Sequence, residues 1–268
     1  MANCGTRALY AAFWPQKKHA CYTCVVSAKD EGGAEVFLRK AMCAKTARVR
    51  AIYAWRGLSL RAPLERTTHA MLLRQLYLSH YEARRFRRAH AIARAAVELN
   101  VLADVLLQDA ARAALAAGDL EAAVMHLREA ARRCPASRRP FHLWTLGSIL
   151  FLAARYDEAT IALERALCGA KADKPLYRAH LALVCIAGGR DVSDLQATID
   201  ALAKAPCGQG YGRFVLGHLA YAAGEWGVAK RYLEAFLSRT FASRPALGIA
   251  LEGEIRMTAA TLAKIASS

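Results

Sequence analysis

A short string of residues returns along this chain every 34 to 36 positions, and no other feature limits the fold as strongly. Its clearest copy is Gly118-Asp119-Leu120-x-x-Ala123-x-x-x-Leu127-x-x-Ala130, a turn followed by small and apolar residues at the three-and-four spacing of one helix face. Upstream it reads Phe86, Ala89, Ala93, Ala96. Downstream it reads Tyr156, Ala159, Leu163, Ala166, then Val192, Leu195, Ile199, Leu202, then Trp226, Ala229, Leu233, Phe236. Each string is preceded by another helical pattern: Leu73 with Leu76, Leu107 with Ala110, Leu143 with Leu146-Gly147, Ala179 with Ala182, and Leu216-Gly217 with Ala220. Every unit therefore reads as two helices joined by a tight turn, and such units bury their apolar faces only by stacking on their neighbours.

Composition supports this reading. With 268 residues and 55% hydrophobic content, the chain can bury a sizeable core in one or two domains. Its excess of Ala and Leu favours helix, because these side chains lose little freedom there. The longest apolar run, Leu143 to Ala154, stops at Arg155, short of the roughly 20 residues needed to cross a bilayer, so it reads as a core helix. Ala8 to Trp14 faintly resembles the apolar part of a secretory signal. Pro15, Gln16, Lys17 and Lys18 stand where small residues should prepare cleavage, and the chain is read as unprocessed. Eight cysteines in a chain of this size without an export signal read as reduced thiols, which places the protein in the cytoplasm.

The repeat resembles the tetratricopeptide family, whose pattern is a large residue, Leu-Gly and Tyr in a first helix, then Ala, an aromatic or Leu, Ala and Pro in a second. The unit from Asp104 to about Arg138 matches it with Leu107, Ala110, Ala111, Ala114, Ala123, Leu127, Ala130 and Pro135. The unit from Pro140 matches with Leu143, Leu146, Gly147, Leu150, Ala159, Leu163 and Ala166. Small residues at Ala89, Ala123, Ala159 and Ala229 fall where the two helices of a unit approach closely. The fourth unit departs, with Leu195 at that position and a longer turn after Gly188-Gly189. The resemblance implies an all-α, right-handed superhelical solenoid of about five helix pairs over residues 68–240.

Stacked repeats need caps. Residues 241–268 supply one, since Arg244 to Ser268 reads as a single helix with Leu247, Leu251, Ile255, Thr258 and Leu262 on one face. Residues 34–67 hold a further helix from Glu35, closed by Gly57, and a basic connector. Residues 1–33 lack periodicity and are expected to be a mobile N-terminal segment.

The resemblance also implies a concave groove lined by first helices. Carried over by position, its lining is Arg74, Gln75 and Tyr81; Gln108 and Arg112; Phe141, Trp144 and Ser148; Tyr177 and His180; and Tyr211, Phe214, His218 and Tyr221. Aromatic and Arg side chains dominate interface energies, although each aromatic could equally pack between helices. The Lys and Asn set of the subfamily that grips a terminal carboxylate is absent. A partner peptide with apolar and acidic residues suits this surface better, its acids meeting Arg74 and Arg112.

Charge offers a second possibility. Residues 39–94 carry fourteen Arg or Lys against Glu65 and Glu82, a local +12 of the total +16. A field of this kind draws acidic proteins, anionic membrane surfaces or nucleic acid. In the nucleic-acid case, Arg84, Arg85, Arg87 and Arg88 would be the basic patch on phosphates while groove aromatics stack bases. His19, Cys21 and Cys24 form half of a zinc motif without a second pair. Gly208 to Gly212 follows Pro206 between helices, not a strand, and reads as a connector. No His-Glu-x-x-His pair or Gly-x-Ser-x-Gly elbow occurs. The sequence thus leads to the expectation of a non-catalytic adaptor without a cofactor, with single-stranded nucleic-acid binding as the alternative.

Overall fold

The computed structural model describes residues 33–267, so His19, Cys21, Cys24 and all but the last residue of the expected mobile segment lie outside the described residues. Regular structure among the described residues is entirely helical, with fourteen α-helices packed in chain order as sequential antiparallel pairs, consistent with a helical repeat. They fall into two compact units, residues 33–134 and residues 135–267. No described helix is long and apolar enough to cross a membrane, and no disulfide joins the described cysteines.

The N-terminal unit contains α1 (Ala34–Cys43), α2 (Ala47–Leu58), α3 (Arg66–Glu82), α4 (Phe86–Val97), α5 (Ala103–Ala116) and α6 (Leu120–Arg133), each packed on the next. The single helix expected from Glu35 to Gly57 is two. The chain breaks at Ala44 and restarts where the Thr46 side chain accepts a hydrogen bond from the Val49 amide, an N-cap that the apolar periodicity does not reveal. Gly57 does not close α2 but lies buried within it, where a Cβ would come 2.8 Å from the Leu72 side chain.

The C-terminal unit contains α7 (Arg139–Leu152), α8 (Tyr156–Gly169), α9 (Lys174–Ala187), α10 (Leu195–Lys204), α11 (Gly212–Ala222), α12 (Trp226–Phe241), α13 (Pro245–Ala250) and α14 (Glu252–Ser267). The apolar run from Leu143 is core helix α7. The Gly-rich stretch after Pro206 is a connector, opened by a 3-10 turn over Pro206–Gly208. The expected C-terminal helix is again two, broken at Leu251. Of the predicted face only Thr258 is buried, together with Glu254 and Thr261, while Leu247, Leu251, Ile255 and Leu262 are half-buried.

One turn geometry recurs through both units. Arg84, Gly118, Ala154, Gly189 and Gly224 all have positive φ, at successive intervals of 34, 36, 35 and 35 residues. At each, the amide of the next residue donates to a carbonyl five positions back, as Asp119 does to Ala114 and Glu225 to Ala220. The left-handed residue's own amide donates three positions back, as Gly118 does to Leu115. These are the two bonds of a Schellman ending, which satisfy carbonyls that the helix end would otherwise leave open. Four of the five second helices start two residues after the left-handed residue. The fifth, α10, starts six residues after Gly189, so the longer turn read from the sequence shortens that helix to ten residues.

Close approach within pairs follows from small side chains. Ala89, Ala123, Ala159 and Ala229 are all fully buried. In α7 and α11, Gly147 and Gly217 admit Leu163 and Leu233 of the partner helix; a Cβ on Gly147 would stand 2.6 Å from Leu163 Cγ.

Left-handed backbone costs an L side chain on the order of 1 kcal/mol relative to glycine. Ala154→Gly (φ +58) is therefore expected to stabilise the protein by about 1 kcal/mol, and Gly118→Ala (φ +87) to destabilise it by about as much, in denaturant unfolding. Equal or inverted effects would show that these turns are not held in the left-handed region.

Candidate interaction site

Eleven of the fourteen residues predicted to line an open groove are buried, and only Arg112, Phe141 and Tyr221 are half-buried. Thirteen of them lie on first helices and Tyr211 caps one, and several meet within their own unit, among the packed helices rather than on a bare surface. The reason differs between the two units.

In the N-terminal unit the cause is a charge pair. Arg74 on α3 donates from Nε to Asp109 Oδ2 on α5 at 2.6 Å, with the two side chains only 4% and 1% exposed. Arg112 adds a 3.4 Å contact to the other oxygen of Asp109. The acid expected from a partner is thus supplied by the chain itself. Gln75, Tyr81 and Gln108 are buried on the same two helices, and the Nε2 atoms of both glutamines have no hydrogen-bond partner among the described residues. Asp109 was missed because an acid at this position has no place in the repeat pattern; its one sequence signal is that it is the only acid between Asp104 and Asp119.

A second cross-helix contact in this unit joins α4 to α6, where the Nε2 atoms of His90 and His126 stand 3.0 Å apart. Burial, aided by the Arg94 charge, pushes both imidazoles below their usual range, so this is a bond between neutral rings near pH 7. The two positions are 36 residues apart, one repeat, and that spacing could have drawn attention to them.

The basic patch is placed differently. Arg84, Arg85, Arg87 and Arg88 surround the turn between α3 and α4, and all four are exposed.

In the C-terminal unit, rings from α7, α9 and α11, with Tyr211 at the N-cap of α11, converge. Trp144 stacks on Tyr177 with centroids 5.8 Å apart and meets Tyr211 edge-on at 4.9 Å. Tyr211 continues to Phe214 at 5.3 Å, and Phe214 to His218 at 4.6 Å. Trp144 Nε1 donates to His180 Nδ1 at 3.1 Å, which fixes the neutral ring's remaining proton on Nε2. That Nε2, and the Nε2 of His218, are buried without a partner among the described residues. Ser148 uses its hydroxyl on the Trp144 carbonyl at 2.9 Å. Phe151, absent from the predicted set, joins the cluster 5.5 Å from His180.

The remaining member comes from α14. The Tyr211 hydroxyl donates to Glu254 Oε1 at 3.2 Å, and Gly253 lies so close to α7 that a Cβ would stand 2.9 Å from Leu152 Cδ1. The first turn of α14 therefore reaches two first helices. Burial pushes the Glu254 carboxyl up to about 7, against hydrogen bonds from its own backbone and from Tyr211 that pull it down. Burial pushes His180 down to about 3, helped by His218, and His218 itself down to about 4.

Removing one partner of a buried ion pair strands the other charge. Asp109→Ala is expected to cost about 3–5 kcal/mol of stability, and Arg74→Met/Asp109→Leu to recover most of that loss. Chemical denaturation of the three proteins decides this, and equal losses would mean that the pair is not a buried charge pair.

Stability should also depend on pH with two opposed limbs. The folded state holds the Glu254 proton above the ordinary 4.5, so this contribution is present below pH 4.5 and lost as pH rises through about 7. The histidines stay neutral in the fold below their ordinary 6.5, so their contribution is present above pH 6.5 and lost on acidification. Glu254→Gln should be more stable than wild type at pH 8, on the order of 3 kcal/mol, with the gap closing toward pH 4.5. Unfolding free energies across that range, with no pH-dependent gap, would rule this out.

Among the described residues, no group of three or more His, Cys, Asp or Glu side chains is arranged to hold a metal ion. No protein-family model matches the chain, and no curated protein matches it.

Proposed function

We propose that this chain is a non-catalytic interaction scaffold of the tetratricopeptide type, acting in the cytoplasm, that receives a peptide segment or domain of a partner protein on the first-helix face of α7, α9 and α11. The observation that carries this reading is the convergence of rings from three successive first helices: Trp144, Tyr177, His180, Tyr211, Phe214 and His218, with Phe141 and Tyr221 half-buried. Aromatic side chains offer large area with few rotors and, in Tyr, Trp and His, a polar handle, the properties that concentrate binding energy at interfaces. The 34–36-residue recurrence of the turn and the small residues at the helix contacts support the repeat identity, and with it a right-handed superhelical stacking.

One observation favours a second reading. Four exposed arginines within five residues, around the α3–α4 turn, suit contact with nucleic-acid phosphates.

The two readings separate in affinity capture from nuclease-treated lysate at two salt concentrations, with wild type, Phe141→Ala/Tyr221→Ala, and Arg85→Ser/Arg87→Ser/Arg88→Ser. The scaffold reading expects partner proteins that survive nuclease and the arginine changes and are lost from the Phe141/Tyr221 variant. Capture abolished by nuclease, by salt or by the arginine changes alone would sink it in favour of nucleic acid.

A further inference from the structure

The buried side chains of α14 are all polar: Glu254, Thr258 and Thr261, on one stripe of the helix. A helix that owes its place to tertiary packing ordinarily buries an apolar stripe. Here Glu254 enters a site that disfavours its charge, and the Thr258 hydroxyl has no hydrogen-bond partner among the described residues. Thr261 turns its hydroxyl back onto the Met257 carbonyl of the same helix. The aliphatic residues of α14 stay half-buried at the flanks, as Ile255, Leu262 and Ile265 do. The surface beneath carries the better binding groups. Tyr211 offers its hydroxyl to Glu254 and its ring to Trp144 and His180.

We propose that α14, which packs on α11 and α12, is a displaceable occupant of the Tyr211 end of the first-helix face, and that the partner segment is an amphipathic helix with aliphatic residues where α14 presents Thr258 and Thr261, and a carboxyl for Tyr211. This inference rests on the reading of that face as a binding surface. Displacement is an exchange, so the incoming helix gains only the difference between its contacts and those of α14. A polar inner stripe keeps that difference large, since each buried methyl that replaces a hydroxyl favours the newcomer. The chain is then closed by default and opens to a helix better matched than its own.

The test uses the full chain and two labelled synthetic peptides of residues 252–267, one native and one with Thr258→Val/Thr261→Val. Hydrogen exchange read by mass spectrometry is expected to be at least roughly tenfold faster in α14 than in α11. The substituted peptide should bind saturably, at least tenfold more tightly than the native one, and further accelerate exchange in α14. The same two substitutions made in the chain keep the shape of each side chain and remove only a buried hydroxyl, which at Thr258 has no partner among the described residues, so they should leave it folded, slow α14 exchange and weaken peptide binding by about tenfold. Exchange in α14 as slow as in α11, or peptide binding that leaves α14 exchange unchanged, overturns the proposal. Slow α14 exchange alongside capture that depends on Phe141 and Tyr221 removes only the displaceable helix. Fast α14 exchange with no captured protein removes only the scaffold reading.

Discussion

The turn within each helix pair sets the conditions for the rest of the structure. A residue with positive φ lets the chain reverse while its own amide and the next one satisfy carbonyls at the end of the first helix. In four pairs the second helix begins two residues later, leaving no slack for it to lie anywhere but against the first. Antiparallel contact at that distance then requires small side chains at the crossing. Alanines supply them in four pairs, and Gly147 and Gly217 bring two of those pairs closer still. Each part of the repeat thus answers a demand raised by the turn.

The two units solve a shared difficulty differently. A first helix in such a stack faces its neighbours on more than one side, so polar residues on its inner positions need partners from within the protein. Between α3 and α5 the partner is a full opposite charge, and Arg74 with Asp109 form a closed pair. On α7, α9 and α11 the polar groups are imidazoles and phenols, which remain neutral when buried. Neutral groups tolerate incomplete pairing far better than ions do. Burying such groups costs less than burying an ion, whereas separating Arg74 from Asp109 would strand two charges.

Periodicity made the paired helices legible in the sequence, because spacing and turn residues repeat together and each copy reinforces the others. It also identified the irregular fourth pair through Leu195 and the extra turn residues. Features that occur once escaped. The Thr46 cap and the break at Leu251 are single local events inside patterns that look continuous. Family positions found residues that do meet in the structure, yet position in a repeat says nothing of what covers it. Asp109 and Glu254 lie outside the transferred set, and these two acids occupy Arg74 and Tyr211. A carboxyl buried against a predicted binding residue is visible only when both helices are placed.

The α9 to α12 region shows what the repeat length measures. The turn after Gly189 is extended and α10 has only ten residues, against fourteen in α8 and sixteen in α12. Nevertheless the left-handed residue that ends the next first helix, Gly224, arrives 35 positions on, the same interval that separates Ala154 from Gly189. The added turn has been taken out of the helix and not added to the chain. The phase of the repeat is therefore reset at each turn: a local loss of helix is absorbed within its own pair, and the following pair starts on the beat.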